Sequence, residues 1–377
     1  MARIPAAIYS FAASFLAQYR MVEEESLVRS RIAPVLAQTR ARGFGRFLAT
    51  LVIVATGLGA CAPRLAELGT QPRAPAIETF AGEPRFITRD GLRLGLTEWD
   101  AAEPRAVVVA LHGMADYAHA FALPAAWLAE RGVTTYAYDQ RGFGRSPSRG
   151  LWAGEEILRQ DVNDFVDVVR QRHPNVPVIV MGESMGGAVA MTAFASSNPP
   201  RADGLILIAP AVWGRDTMPF SYRTALWVTA HSFPYWELSG SGLNMWPSDN
   251  VPVLREMARD PLMIKQTRTD AIYGLVNLMD HAYSAAASLW PVPTLLAYGD
   301  KDQIIPKAAT KGVEKSLRTK SSRVAIKEYA YGYHLLLRDL QGPRVWTDLL
   351  SWIDGVVTPS ADAVAAPSPS GAVGAGG

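Results

Sequence analysis

Val178-Ile179-Val180-Met181-Gly182-Glu183-Ser184-Met185-Gly186-Gly187-Ala188-Val189 is the stretch on which the fold turns. Its first four residues form a continuous apolar run, the pattern of a strand buried on both faces. Helical sequence follows immediately. A strand-to-helix turn this sharp holds its central residue in a strained backbone conformation. Side chains two positions before and after Ser184 would clash, which explains glycine at 182 and 186. Ser184 then projects its Oγ above the sheet at a helix N-terminus, where partial positive charge favours a developing anion. G-x-S-x-G alone arises by chance; the strand before it and the helix after it supply the context of a nucleophile. The plain alternative is a glycine-rich turn with an incidental serine.

Working outward, similar apolar runs recur at Val107–Leu111, Val133–Tyr138, Leu205–Ile208, Thr294–Tyr298 and Val324–Ile326. Amphipathic stretches such as Glu155–Arg172 and Met185–Ser197 lie between them, as parallel βαβ crossovers require. Arg85–Thr88 and Leu92–Trp99, joined through Asp90-Gly91, read as a hairpin. The fold class is therefore α/β: a mostly parallel central sheet with helices on both faces. The alternation breaks over residues 211–290, where five of the ten tryptophans and five of the eleven methionines fall. That stretch reads as an inserted, mostly helical cap between core segments 85–210 and 291–356. Residues 61–84, with Pro63, Pro72, Pro75 and Pro84, read as a linker. Residues 357–377, rich in Ala, Gly, Ser and Pro, read as a disordered tail.

A serine hydroxyl needs a base to take its proton. In strand–turn–helix nucleophile sites the acid and then the histidine follow the serine along the chain. Of the histidines after Ser184, His231 and His281 fall in the cap. His334 follows the last strand in a glycine-containing loop, so it is the expected base. Tyr298-Gly299-Asp300-Lys301-Asp302 offers two carboxylates to orient it. Asp302, in the turn three residues beyond Gly299, is favoured, with Asp300 expected to brace the turn or face solvent. The oxyanion needs two main-chain N–H donors. Met185, directly after the nucleophile, and Met114, in Leu111-His112-Gly113-Met114, are the candidates, with His112 bracing the loop. No metal or organic cofactor is required, and His112 has no companion at ligand spacing.

These segments, together with Asp139-Gln140-Arg141-Gly142-Phe143-Gly144-Arg145-Ser146, fall in order across residues 107–340. The chain resembles the monoacylglycerol lipase and lysophospholipase branch of the α/β-hydrolases, the serine aminopeptidase S33-like group. The resemblance implies hydrolysis of a monoacylglycerol, a lysophospholipid or a related carboxylic ester. Phe143 stands where relatives often carry His, and Met114 where many have a small residue. Both departures weaken the transfer of substrate identity, while Asp139 and Arg141 read as loop-bracing residues. Trp213, Trp227, Trp236, Trp246, Met218 and Met245 are expected to line an acyl-chain slot or to form the cap's own core. A peptidase would want an acidic pocket for a substrate amine, and no carboxylate cluster stands out in the cap, where residues such as Glu237, Asp249 and Glu256 are scattered. A non-catalytic envelope binding protein on the same scaffold is the rival from another class.

The chain carries 37 basic and 35 acidic residues. Residues 1–60 hold seven Arg and three Glu, which leaves 30 basic against 32 acidic beyond them and argues against nucleic-acid binding. The only cysteine is Cys61, so no intramolecular disulfide forms. Before it runs the uncharged apolar stretch 47–60, flanked by Arg40, Arg42 and Arg46. That is the order of a secretory signal, shorter than the ~20 residues of a spanning helix. Leu58-Gly59-Ala60-Cys61 resembles a bacterial lipobox, which implies lipidation of Cys61 and a membrane-anchored protein of the cell envelope, and Ala62 after it is compatible with sorting to the outer membrane. A buried helix ending in an ordinary Cys, in a cytoplasmic protein, is the alternative.

Overall fold

The computed structural model describes residues 64–239, 245–289, 291–320 and 323–357. The proposed signal segment, Cys61 and the C-terminal tail lie outside the described residues.

In chain order the strands are β1 (Ala76–Phe80), β2 (Glu83–Ile87), β3 (Arg93–Trp99), β4 (Ala106–Leu111), β5 (Val133–Tyr138), β6 (Val178–Glu183), β7 (Gly204–Ile208), β8 (Glu237–Leu238), β9 (Thr267–Arg268), β10 (Thr294–Gly299) and β11 (Val324–Tyr329). The helices are α1 (Ala122–Ala129), α2 (Glu155–Arg172), α3 (Met185–Phe194), α4 (Phe220–Ser232), α5 (Val251–Arg259), α6 (Thr269–Ala285), α7 (Lys307–Lys320) and α8 (Gly342–Val357). Nine strands make one sheet in the order β1-β2-β3-β5-β4-β6-β7-β10-β11. From β5 to β11 every pairing is parallel, whereas β1, β2 and β3 add an antiparallel edge.

The continuous apolar runs are explained by the two faces they serve. In β4, Val107, Val109 and Leu111 join one hydrophobic cluster, while Ala106, Val108 and Ala110 join the other. β6 divides the same way, with Val178 and Val180 against Ile179 and Met181. Successive strand side chains point to opposite faces, and here both faces are roofed by helices. α2, α3, α6 and α7 supply one cluster; α1 and α8 supply the other.

Three expectations need correction. First, β1 lies inside the stretch read as a linker and pairs with β2 through a tight turn, Phe80 opposite Glu83. Its two turn residues, Ala81 and Gly82, both have positive φ. That is the hairpin geometry normally announced by Asn-Gly, and alanine at the first position hides it. Second, Met185–Ser197 reads as amphipathic, yet all ten residues of α3 are buried. The helix is enclosed by the sheet, α2 and α6. Third, the insertion does not behave as a single cap. Its last helix, α6, puts Ile272, Leu275, Val276 and Met279 into the main core. α4 and α5 add Leu226 and Met257 to the same cluster, and the antiparallel ribbon β8–β9 pairs Glu237 with Arg268.

Candidate active site

The nucleophile turn has the strain its sequence demands. Ser184 sits at φ 52°, ψ −116° between β6 and α3. That conformation costs an L-residue about 1–3 kcal/mol. Main-chain hydrogen bonds hold it there: the Ser184 N–H donates to the Ile208 carbonyl at 2.9 Å, and its own carbonyl accepts from Ala188 and Ala211. A Cβ at position 186 would collide with the Leu111 carbonyl, and one at 182 with the main chain of Gly186. Both positions therefore exclude any side chain.

His334 arrives from the loop after β11 and is wholly buried. Its Nε2 lies 2.9 Å from Ser184 Oγ, and its Nδ1 lies 2.8 Å from Asp302 Oδ2. A carboxylate only accepts, so Nδ1 carries the proton and Nε2 is free to accept from the serine hydroxyl. Asp302 Oδ1 accepts the amides of Ile304 and Ile305 at 2.8 and 3.0 Å, which fixes the carboxylate plane. Asp300 turns away and accepts the Tyr331 amide at 2.6 Å. Burial opposes charging His334, but the Asp302 charge and hydrogen bond outweigh it, so the imidazole is held above its ordinary value.

Met185 opens α3, where the first amides have no partner within the helix. The other candidate donor is set by His112. The Gln140 amide donates to His112 Nε2 at 2.8 Å, so Nδ1 must bear the hydrogen that reaches the Gly113 carbonyl at 2.8 Å. A trans peptide is planar, and pinning that carbonyl aims the Met114 N–H the opposite way. Gly113 itself comes close to the nucleophile: a Cβ there would lie 3.3 Å from Ser184 Cβ. Burial holds His112 below its ordinary value, consistent with a neutral brace. Asp139 and Arg141 also brace loops. Asp139 accepts the Ala118 and Arg145 amides, and Arg141 forks onto Asp161 and Asp90.

Sequence reasoning missed the groups behind this line of hydrogen bonds. Glu183, the residue before the nucleophile, is buried and pairs with Arg338 at 3.0 Å. Asp116 pairs with the same guanidinium at 2.8 Å. Glu183 sits in the motif and Arg338 four residues beyond His334, so the only signal was a charge at each of two core positions. Also missed was the course of residues 245–250 over the acid and base loops. The Trp246 amide donates to Gln303, the Leu335 amide to the Pro247 carbonyl, and the Ser248 hydroxyl to Asp339 at 2.7 Å. Asp339 accepts the Tyr333 amide as well.

Of the aromatic residues expected to line a slot, Trp227 and Trp236 are 54% and 43% exposed on the outer surface. Their outward placement corrects that expectation. Met218 is buried, and Trp213 and Met245 pack against the main core. A cavity of about 130 Å³ lies between α1 and α5, bounded by Leu123, Val253, Met257 and Met263, with Asp116 and Arg338 at its wall. Among the described residues no cluster of metal-ligating side chains occurs, and no helix is long and apolar enough to cross a membrane.

Known proteins are similar to this chain over the segment that holds these residues. The family model described as serine aminopeptidase, S33 matches residues 102–341. A monoacylglycerol lipase of Mycolicibacterium smegmatis is 28% identical over 74% of this chain and 98% of its own length. The crystal structure of Paleococcus ferrophilus monoacylglycerol lipase superimposes with a TM-score of 0.58 at 22% identity, covering 70% of this chain and 98% of that one. A soluble variant of monoglyceride lipase from Saccharomyces cerevisiae, solved with a substrate analogue, gives a TM-score of 0.60 at 19% identity, covering 79% and 98%. The family match spans more than half of the chain and contains the nucleophile turn, the acid loop and the base loop: this protein belongs to the serine aminopeptidase S33 family of α/β-hydrolases, in its monoacylglycerol lipase-like branch.

Proposed function

We propose that the protein hydrolyses lipid-like carboxylic esters, a monoacylglycerol or a lysophospholipid, through an acyl-enzyme on Ser184. The observation that carries this reading is the unbroken line from Ser184 Oγ to His334 to Asp302, at 2.9 and 2.8 Å. Ser184 attacks the ester carbonyl while His334 Nε2 takes its proton. The Met114 and Met185 amides donate to the oxyanion, and Asp302 steadies the imidazolium. Collapse of the tetrahedral adduct breaks the ester C–O bond, and His334 returns the proton to the departing alcohol. A water, deprotonated by the same imidazole, then releases the fatty acid and restores the serine. This chemistry requires no metal or organic cofactor.

The lipid character of the substrate is supported by the names of the relatives and by the apolar wall of the cavity beneath α5. The family's description as aminopeptidases supports a second reading, amide cleavage. Asp116, Glu256 and Asp260 at that cavity are the residues that would meet a substrate amine. Of these, Asp116 is already neutralised by Arg338, and Asp260 accepts the Tyr117 hydroxyl. That favours the ester. The same reading takes Cys61 as a lipid-anchor site that holds the enzyme at the bacterial envelope beside its substrate; palmitate labelling should vanish in Cys61→Ser.

A fluorophosphonate probe should label the full-length protein and fail on Ser184→Ala. Hydrolysis of acyl glycerols, lysophospholipids and aminoacyl amides by unlabelled wild-type protein then ranks the substrates. A wild-type protein that folds but takes no label would refute the enzymatic reading in favour of a binding protein.

A further inference from the structure

Arg338 is the most heavily committed buried cation beside the site. Its Nη2 lies 2.8 Å from Asp116 Oδ2 and 3.0 Å from Glu183 Oε2, and its Nη1 lies 3.6 Å from Met257 Sδ. All three charged side chains are less than a tenth exposed. Each partner belongs to a different working segment. Asp116 is two residues after Met114, Glu183 is bonded directly to Ser184, Met257 is on α5, and Arg338 shares the loop of His334. The Arg338 carbonyl, in turn, accepts from Asn250 at 2.9 Å.

We propose that Arg338 is a positioning residue: one guanidinium holds the nucleophile turn, the oxyanion loop and the base loop in mutual register, and its charge offsets Glu183 beside His334. This inference rests on the reading of Ser184 and His334 given above. Its first support is geometric. Nη2 alone meets both carboxylates, while Nη1 of the same planar group reaches Met257 on α5. The second support is the charge balance. Two buried carboxylates face one guanidinium, and Glu183 Oε1 has no hydrogen-bond partner among the described residues. Burial pushes Glu183 up, Arg338 pulls it down, and Asp116 and His334 also bear on it. The charged groups bearing on His334 itself are Asp302, Glu183 and Arg338, the first two favouring its protonation and the last opposing it. Removing Glu183 while Arg338 stays must therefore make His334 harder to protonate.

The test uses the full-length chain and a soluble short-chain ester. Wild-type labelling by fluorophosphonate, absent in Ser184→Ala, first establishes the underlying reading; its failure would be seen there and not in the Arg338 series. Arg338→Gln should then lower kcat by about a hundredfold with KM changed less than threefold, a loss on the order of one interaction made only at the transition state. Arg338→Lys should recover part of it. The double variant Glu183→Gln/Arg338→Gln should exceed Arg338→Gln, because it leaves one fewer unpaired buried carboxylate. Glu183→Gln alone should move the acidic limb of kcat/KM to lower pH, and this readout stands even if Arg338→Gln does not fold. An unmoved limb in Glu183→Gln, or Arg338→Gln within threefold of wild type in kcat, would overturn the proposal. So would Arg338→Lys and the double variant both as slow as Arg338→Gln.

Discussion

The sheet edge around Ser184 and the described residues of the cover, 211–239 and 245–268, are built on opposite terms. At the sheet edge almost nothing is free. Gly182 and Gly186 leave no room for a methyl group, Ser184 is locked at positive φ, and His334 is fully buried between two polar partners. In the cover, α4 presents Phe220, Trp227 and Val228 to the outside, and only Leu226, Thr229 and Ala230 of its thirteen residues are buried. The edge thus accepts one backbone and one set of rotamers, whereas the cover accepts many sequences of similar hydrophobicity. Chemistry needs the first kind of surface, and variation in substrate needs the second.

The largest effect that sharpens this contrast is expected from Asp302→Asn. An amide there presents the wrong hydrogen-bonding pattern to Nδ1, and kcat should fall by about 10⁴-fold with little change in thermal stability. A loss under tenfold would mean that the Asp302 contact does not orient the base. Next comes Gly186→Ala, whose methyl meets the Leu111 carbonyl. It should destabilise the fold by about 3 kcal/mol or more in denaturant titrations. The matching change in the cover, Trp227→Ser, removes a half-exposed ring and should stay within about 0.5 kcal/mol. If the two cost the same, the contrast drawn here is wrong. The smallest effect concerns pH. His334 must be neutral to act as base, and its protonated form is favoured by Asp302. Activity should be full above that raised value and disappear as pH falls through it. The acidic midpoint of kcat/KM should therefore lie above the ~6.5 of an ordinary histidine. A midpoint below that would contradict the electrostatics of the pair.

What was legible in the sequence follows the same division. The turn at Ser184 could be read because its constraint is local: five consecutive residues carry both the strain and its relief. His334 could be read because few histidines follow the serine, and Asp302 because it stands just past a strand end. β1 was hidden by Pro72 and Pro75 before it and by Ala81 in a turn that usually asks for asparagine. α6 was assigned to the cap because apolar periodicity says how much of a helix is buried but not against which layer. The Glu183–Arg338 contact joins positions 155 residues apart, and no periodicity records such a pairing. Distances of that kind are set only once the sheet order is known.

The carboxylate of Asp339 receives the Ser248 hydroxyl from the cover and the Tyr333 amide from the loop of the base. One side chain thereby fastens residue 248 to the residue that immediately precedes His334. Loss of the Ser248 hydroxyl would leave that carboxylate one donor short and loosen the setting of the Tyr333 peptide. The peptide beside His334 thus depends on a hydrogen bond that spans 91 positions of the chain as well as on its own loop.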